Sequence, residues 1–138
     1  MAWERIFVDT NIFLYAASTA PQDARKSQLA AEVIRHPALV VSSQVIQEFI
    51  AAALRRPALG LGEPQINAWL GFFTPEQVQL LTLPVIRHAV ALRRSFQLSH
   101  WDSTIIAAAL AAGCRILFSE DLSHGQVFDS LTVQNPLL

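Results

Sequence analysis

Short runs of β-branched and aromatic residues alternate along this chain with longer stretches whose apolar positions recur every three or four residues, the signature of strands and helices in alternation. Arg5-Ile6-Phe7-Val8-Asp9 is the first such run and predicts a buried strand. A helix is expected from about Pro21, with Leu29, Ala30 and Val33 inward, ending before Pro37 because a residue preceding proline avoids the helical region. Ala38 to Val41 predicts the second strand. Ser42 or Ser43 can cap a helix that runs to about Arg56 and is stopped by Pro57, and a further helix is expected over 63–73, where Ile66, Trp69, Leu70 and Phe73 share helical spacing. Val78 to Leu83 predicts the third strand, and Pro84 suits the first turn of a helix continuing to about Gln97. After a loop over 98–101, an almost wholly apolar helix is expected from Asp102 to Ala112, ended by Gly113, then a strand from Arg115 to Ser119 and a last one around Leu131 to Val133.

Strands alternating with helices predict an α/β fold with a central, mainly parallel sheet covered by helices on both faces. No repeat, low-complexity run or Gly/Pro/Ser-rich linker divides the chain, so its 138 residues are expected to form a single domain. Apolar runs fall short of the eighteen or so residues that a membrane span requires, and the start of the chain has no signal-peptide profile, which leads to the expectation of a cytoplasmic protein. The single cysteine, Cys114, has no partner for an internal disulfide and reads as a small buried hydrophobe. Composition adds one inference: 52% hydrophobic and only 15% charged residues leave apolar surface to be covered, which points to a homodimer.

Net charge is −1, so any binding of nucleic acid must come from local patches. Arg55-Arg56 and Arg93-Arg94 are the obvious basic pairs; each stands near an expected helix end, where cations are favourable against the helix dipole without any further role. The acids are more informative when sorted by position. Asp9 and Asp121 fall at or just past the carboxyl ends of expected strands, where open parallel sheets place their ligands. Glu48 shares a helical stripe with Gln44, Val45, Ala51 and Ala52, and Asp102 shares one with Ile105, Ile106 and Ala109. Neither stripe is polar, and a carboxylate on an apolar stripe needs a partner. Taken singly, each acid has a structural explanation. Together, four carboxylates converging on one sheet edge without matching cations are what a hard divalent ion such as Mg²⁺ or Mn²⁺ demands.

Phe7-Val8-Asp9-Thr10-Asn11-Ile12, Gln44-Val45-Ile46-Gln47-Glu48-Phe49, Trp101-Asp102-Ser103-Thr104-Ile105-Ile106-Ala107-Ala108-Ala109 and Ser119-Glu120-Asp121-Leu122 resemble, in order, the four acidic motifs of PIN domains. Asn135-Pro136 is similar to the family's closing strand. The resemblance is nearest to the toxin ribonucleases of bacterial VapBC toxin–antitoxin pairs. It implies a PIN-like three-layer fold and an acidic pocket of Asp9, Glu48, Asp102 and Asp121, supported by Asn11 and Ser119, the last standing where many relatives have threonine. It further implies Mg²⁺ or Mn²⁺ held by Asp9, Asp102 and Asp121, with Glu48 as a water-mediated ligand or proton acceptor. RNA would be the substrate and a cognate antitoxin the partner. Glu120 is an extra acid whose orientation is open at this stage.

Other readings fail on particular residues. A receiver domain needs a lysine late in the chain, and the only lysine is Lys26; a haloacid-dehalogenase phosphatase needs Asp-x-Asp where Asp9-Thr10-Asn11 stands. Gly60-Leu61-Gly62 follows a helix and is a loop, not a dinucleotide fingerprint, and His36, His88, His100 and His124 lack zinc-ligand spacing. Two alternatives stay open: a non-catalytic PIN-fold module that binds nucleic acid or protein, and a DNA or flap nuclease built on the same centre.

Overall fold

The computed structural model describes residues 4–138, so the first three residues of the expected domain lie outside the description. Six strands form one sheet: β1 (Ile6–Val8), β2 (Leu39–Ser42), β3 (Val78–Gln79), β4 (Ile116–Phe118), β5 (Val127–Phe128) and β6 (Leu131–Gln134). Their spatial order is β3-β2-β1-β4-β6-β5, with every pair parallel except β5 against β6. Six α-helices flank it: α1 (Thr10–Ala17), α2 (Ala24–Val33), α3 (Ser43–Arg55), α4 (Glu63–Phe72), α5 (Leu83–Phe96) and α6 (His100–Ala111). The fold is the α/β architecture expected, with a central, mostly parallel sheet between helices.

The centre of the sheet is apolar on both sides. Ile6, Phe7 and Val8 of β1, Leu39, Val40 and Val41 of β2, and Leu117 of β4 are all buried, as the continuous hydrophobic runs of a doubly covered sheet require. Helix α6 carries Ile105 to Ala109 fully inside, the small alanines allowing it to lie close to the strands. Among the described residues, no helix is long and apolar enough to cross a membrane.

Several elements depart from the sequence expectation. The largest omission is α1, which begins directly after β1: Thr10 to Ala17 has too few polar positions to show an amphipathic period, and Asp9, which caps it, reads equally well as a strand-end acid. The helix expected from Pro21 opens instead as a 3-10 turn, Pro21–Asp23, and α2 starts at Ala24. The third strand is two residues long because Thr82 caps α5 through Val85 N. Ser99 caps α6, which therefore starts at His100, two residues before the expected Asp102. Leu70, expected inward on α4, is 40% exposed, while Ile66 is buried. Strand β5 is too short to leave a periodic signal.

The strand order fixes where chemistry can sit. From β1 the chain moves outward through β2 to β3, then crosses back to place β4 on the other side of β1. The chain thus builds to one side of β1 with β2 and β3 and to the other side with β4, and this reversal opens a crevice at the carboxyl ends of β1 and β4, the usual ligand position in open α/β sheets.

Candidate metal centre

Asp9 follows β1 at that crevice and ends up 6% exposed. Its Oδ1 accepts the backbone N–H of Thr10 at 2.7 Å and so caps α1, while Oδ2 accepts the hydroxyl of Ser119 at 2.8 Å and, more weakly, the amide of Asn11 at 3.5 Å. Ser119 and Asp121 arrive from the end of β4 on the other side of the crevice. Asn11 spans the two: its Nδ2 donates to Asp121 Oδ2 at 3.1 Å, and its Oδ1 accepts the backbone N–H of Glu120 at 3.1 Å. The Asp121 backbone N–H in turn donates to Ser119 Oγ at 3.2 Å.

Glu48 reaches the same place from the middle of α3. Thr10 Oγ1 donates to its Oε2 at 2.9 Å, and Gln44 Nε2, one turn earlier on α3, donates to its Oε1 at 2.9 Å. Gln44 also donates to the carbonyl of Trp101 at 3.3 Å and accepts the hydroxyl of Thr104, which links Glu48 to the first turn of α6. Asp102 stands in that turn, half-buried, with its backbone N–H given to Ser99 Oγ at 3.1 Å. Among the described residues its carboxylate accepts no hydrogen bond. The structure thus brings Asp9, Glu48, Asp121, Asn11 and Ser119 into one bonded network and leaves the Asp102 side chain outside it; α6 joins the network through Gln44, which bonds Trp101 and Thr104 on either side of Asp102.

Electrostatics mark this cluster out. Burial raises the Asp9 carboxyl from its ordinary 3.8 to about 6. The bonds from Ser119 and Thr10 pull it down again, while the charges of Asp121 and Glu48 push it up. No cation compensates: the one side-chain ion pair among the described residues joins Lys26 to Glu120 at 2.5 Å. Tyr15 donates to the same Glu120 at 3.1 Å, with the Lys26 ammonium 5.0 Å from its ring centre. Glu120 is therefore turned toward α1 and α2 and already neutralised, whereas Asp9, Glu48 and Asp121 are not.

The donor set suits a hard divalent ion. All the available atoms are carboxylate oxygens, those of Asp9 buried against their preference for water, and among the described residues no cation forms an ion pair with them. Among the described residues no three acidic, histidine or cysteine side chains are close enough to clasp one ion as they stand. Mg²⁺ does not need three, because it keeps several waters and binds through one or two carboxylates. Asp9 and Asp121, bridged by Asn11, supply such a pair.

Glu48 and Asp121 open onto a cleft of about 690 Å³ that Asn11, Arg55 and Arg56 also line, whereas Asp9 and Asp102 are not part of its lining. Thr10 and Gln44 were missed as partners of Glu48 in the sequence, although Gln44 lies inside the motif that carries Glu48 and Thr10 inside the one that carries Asp9. His124, which flanks the last motif, accepts the Asn135 N–H through Nδ1 at 3.0 Å and so ties the chain end to the loop after β4.

A family model described as PIN domain matches residues 6–127. No curated protein matches the chain. Among solved structures, a toxin–antitoxin complex from Klebsiella pneumoniae is similar with a TM-score of 0.71 at 19% sequence identity, covering 96% of this chain and 97% of that one. VapC20 of Mycobacterium tuberculosis, described as a sarcin–ricin loop cleaving toxin, gives 0.61 at 22% identity over 84% of this chain and 91% of that one. VapBC2 from Rickettsia felis, bound to a DNA fragment from its promoter, gives 0.66 at 15% identity over 94% and 97%. At these identities the likeness shows the fold.

Proposed function

The chain belongs to the PIN-domain family, and from that premise we propose that it is a divalent-metal-dependent endoribonuclease acting as the toxin of a toxin–antitoxin pair. The observation that carries this reading is the uncompensated carboxylate cluster at the β1–β4 crevice: Asp9 buried and pushed up to about 6, with Asp121 and Glu48 beside it and no cation between them. The solved structures of similar fold, a toxin–antitoxin complex and a sarcin–ricin loop cleaving toxin among them, support the biological setting.

In this reading Asp9 and Asp121 hold Mg²⁺ or Mn²⁺, with Asp102 as a further ligand approached from α6. The bound ion would neutralise phosphate charge and lower the pKa of an attacking water. The protein's own part is positional. Ser119 and Thr10 fix the two oxygens of Asp9, and Asn11 sets Asp121 relative to it. Glu48, whose two oxygens are oriented by Thr10 and Gln44, would be the acceptor of the proton that the water gives up. No side-chain nucleophile is required. Cleavage of single-stranded RNA, set beside DNA of equal sequence with Mn²⁺ and with chelator, tests the assignment: RNA should be cut only with metal, and preferential cutting of DNA would replace the ribonuclease reading by the DNA-nuclease one.

Expression without a partner is expected to arrest bacterial growth, and Asp102→Asn, which keeps the side chain's shape and removes its charge, to relieve the arrest at unchanged protein level. Growth curves with immunoblots check both, and equal toxicity of the variant would remove Asp102 from the mechanism. A homodimer is also proposed. Leu54, Leu80, Leu83 and Trp101 are 66%, 63%, 57% and 61% exposed, more apolar surface than the 15% charged residues offset. Light scattering at micromolar concentration should give twice the chain mass, and a monomer would refute it.

A further inference from the structure

The two arginine pairs look alike in sequence but differ in place. Arg93 and Arg94 lie in the last turn of α5 and do not line the acidic cleft. Arg55 lies in the last turn of α3 and Arg56 caps that helix, and both line the cleft together with Asn11, Glu48 and Asp121. A favourable position against a helix dipole accounts for both pairs equally and says nothing about the cleft.

The geometry of α3 explains the placement. Glu48 and Arg55 are seven residues apart, which on an α-helix is two turns, the same face and a rise of about 10 Å. Between them on that face stand Ala51 and Ala52, both in the cleft lining, so no bulky side chain separates the carboxylate from the guanidinium. Both arginines are exposed, and neither is paired with a carboxylate among the described residues. The cleft therefore has an anionic end built for a cation and a cationic end free to take an anion. A phosphodiester chain presents what the second end needs: successive anionic groups, each offering oxygens that match the planar fork of arginine. A net charge of −1 supplies no general attraction for nucleic acid, so a local grip of this kind has to provide it.

We propose that Arg55 and Arg56 form a phosphate-binding subsite that holds the RNA backbone beside the position at which the carboxylates act. This rests on the ribonuclease reading and adds the route by which the strand enters: along α3, from the arginines toward Glu48. The contacts are to backbone and not to bases, so the subsite contributes affinity without sequence preference.

The test is binding of a labelled single-stranded oligoribonucleotide to the full chain by fluorescence anisotropy, with chelator present so that nothing is cut, over a salt series. Each phosphate contact to a single strand contributes about 0.7 to the slope of log affinity against log salt. R55Q/R56Q should lower that slope by roughly 1.4 and weaken binding to oligonucleotides of different sequence alike. R55K/R56K, which keeps the charge, should retain the slope, and equal helix content of the parent and the Gln pair by circular dichroism separates loss of phosphate contacts from loss of the helix end. A Gln pair that keeps the parent's slope overturns the proposal, and if Mn²⁺-dependent cleavage by the parent persists, the ribonuclease reading survives it. A parent that neither binds nor cuts RNA overturns both.

Discussion

Asp9→Asn is expected to lower the rate of RNA cleavage by on the order of 10²–10³-fold while leaving the fold intact, the effect typical of removing one preorganised charge from a reacting centre. The substitution is chosen because asparagine can keep the two shorter of the three bonds that Asp9 makes. Its carbonyl can accept the Thr10 N–H that caps α1, and its amide can donate to Ser119 Oγ, since a hydroxyl accepts as readily as it donates. The charge is lost, and with it the weak 3.5 Å bond from Asn11, which an amide nitrogen cannot accept. Asp9→Ala would confuse the result, because it also removes the cap of α1, a loss worth about 1 kcal/mol. Single-turnover cleavage by the parent and Asp9→Asn, with circular dichroism to verify the fold, checks the expectation. Unchanged cleavage by a folded variant would take Asp9 out of the reaction.

The second large effect is on stability, and its sign separates a metal site from a structural ion pair. Burial raises the Asp9 carboxyl from 3.8 to about 6, so without metal the folded protein holds a proton there more tightly than the unfolded chain does. Above about pH 6 the folded state carries a buried charge it disfavours, and below 3.8 the group is protonated in both states. Stability from this group is therefore fully present at low pH and lost as pH rises through about 6. One pH unit of displacement corresponds to about 1.4 kcal/mol, which makes the whole difference about 3 kcal/mol, or roughly 10 °C in melting temperature for a chain of this size. In chelator, Asp9→Asn should melt above the parent at pH 7, and the gap should close between pH 6 and 4. Mn²⁺ should then stabilise the parent more than the variant, because a ligand that binds only the folded state adds stability by mass action. A salt-bridged Asp9 would behave in the opposite way, with the parent the more stable at neutral pH and its advantage lost on acidification.

What was legible in the sequence follows from physical signal strength. Strands β1 and β2 are unbroken apolar runs buried on both faces, α3 carries a clear cap and a proline stop, and α5 a clear cap with proline in its first turn; all four announce themselves. Helix α1 does not, because a helix apolar nearly all round has no period to detect and its start coincides with the acid that attracts functional attention. The carboxylates could be singled out from strand ends and apolar stripes, but their arrangement could not. That Asn11 ties Asp9 to Asp121 depends on a β1–β4 pairing between residues more than a hundred positions apart. The orientation of Glu120 was open in the sequence because it depends on Lys26, which reaches it from α2. The two arginine pairs were indistinguishable for the same reason: local sequence places both at helix ends, and only the packing of α3 against α1 sets one of them on the cleft.

The carboxylates at the β1–β4 crevice are proposed to direct a metal-activated water against an RNA phosphodiester. The chemistry of the cut ends tests it most directly, since attack by water and attack by the ribose 2′-hydroxyl leave different termini. RNA incubated with the parent protein and Mn²⁺ should carry 5′-phosphate and 3′-hydroxyl ends, absent with chelator and absent with Asp9→Asn. Ends bearing 2′,3′-cyclic phosphate, or cleavage that persists undiminished in chelator, would contradict it.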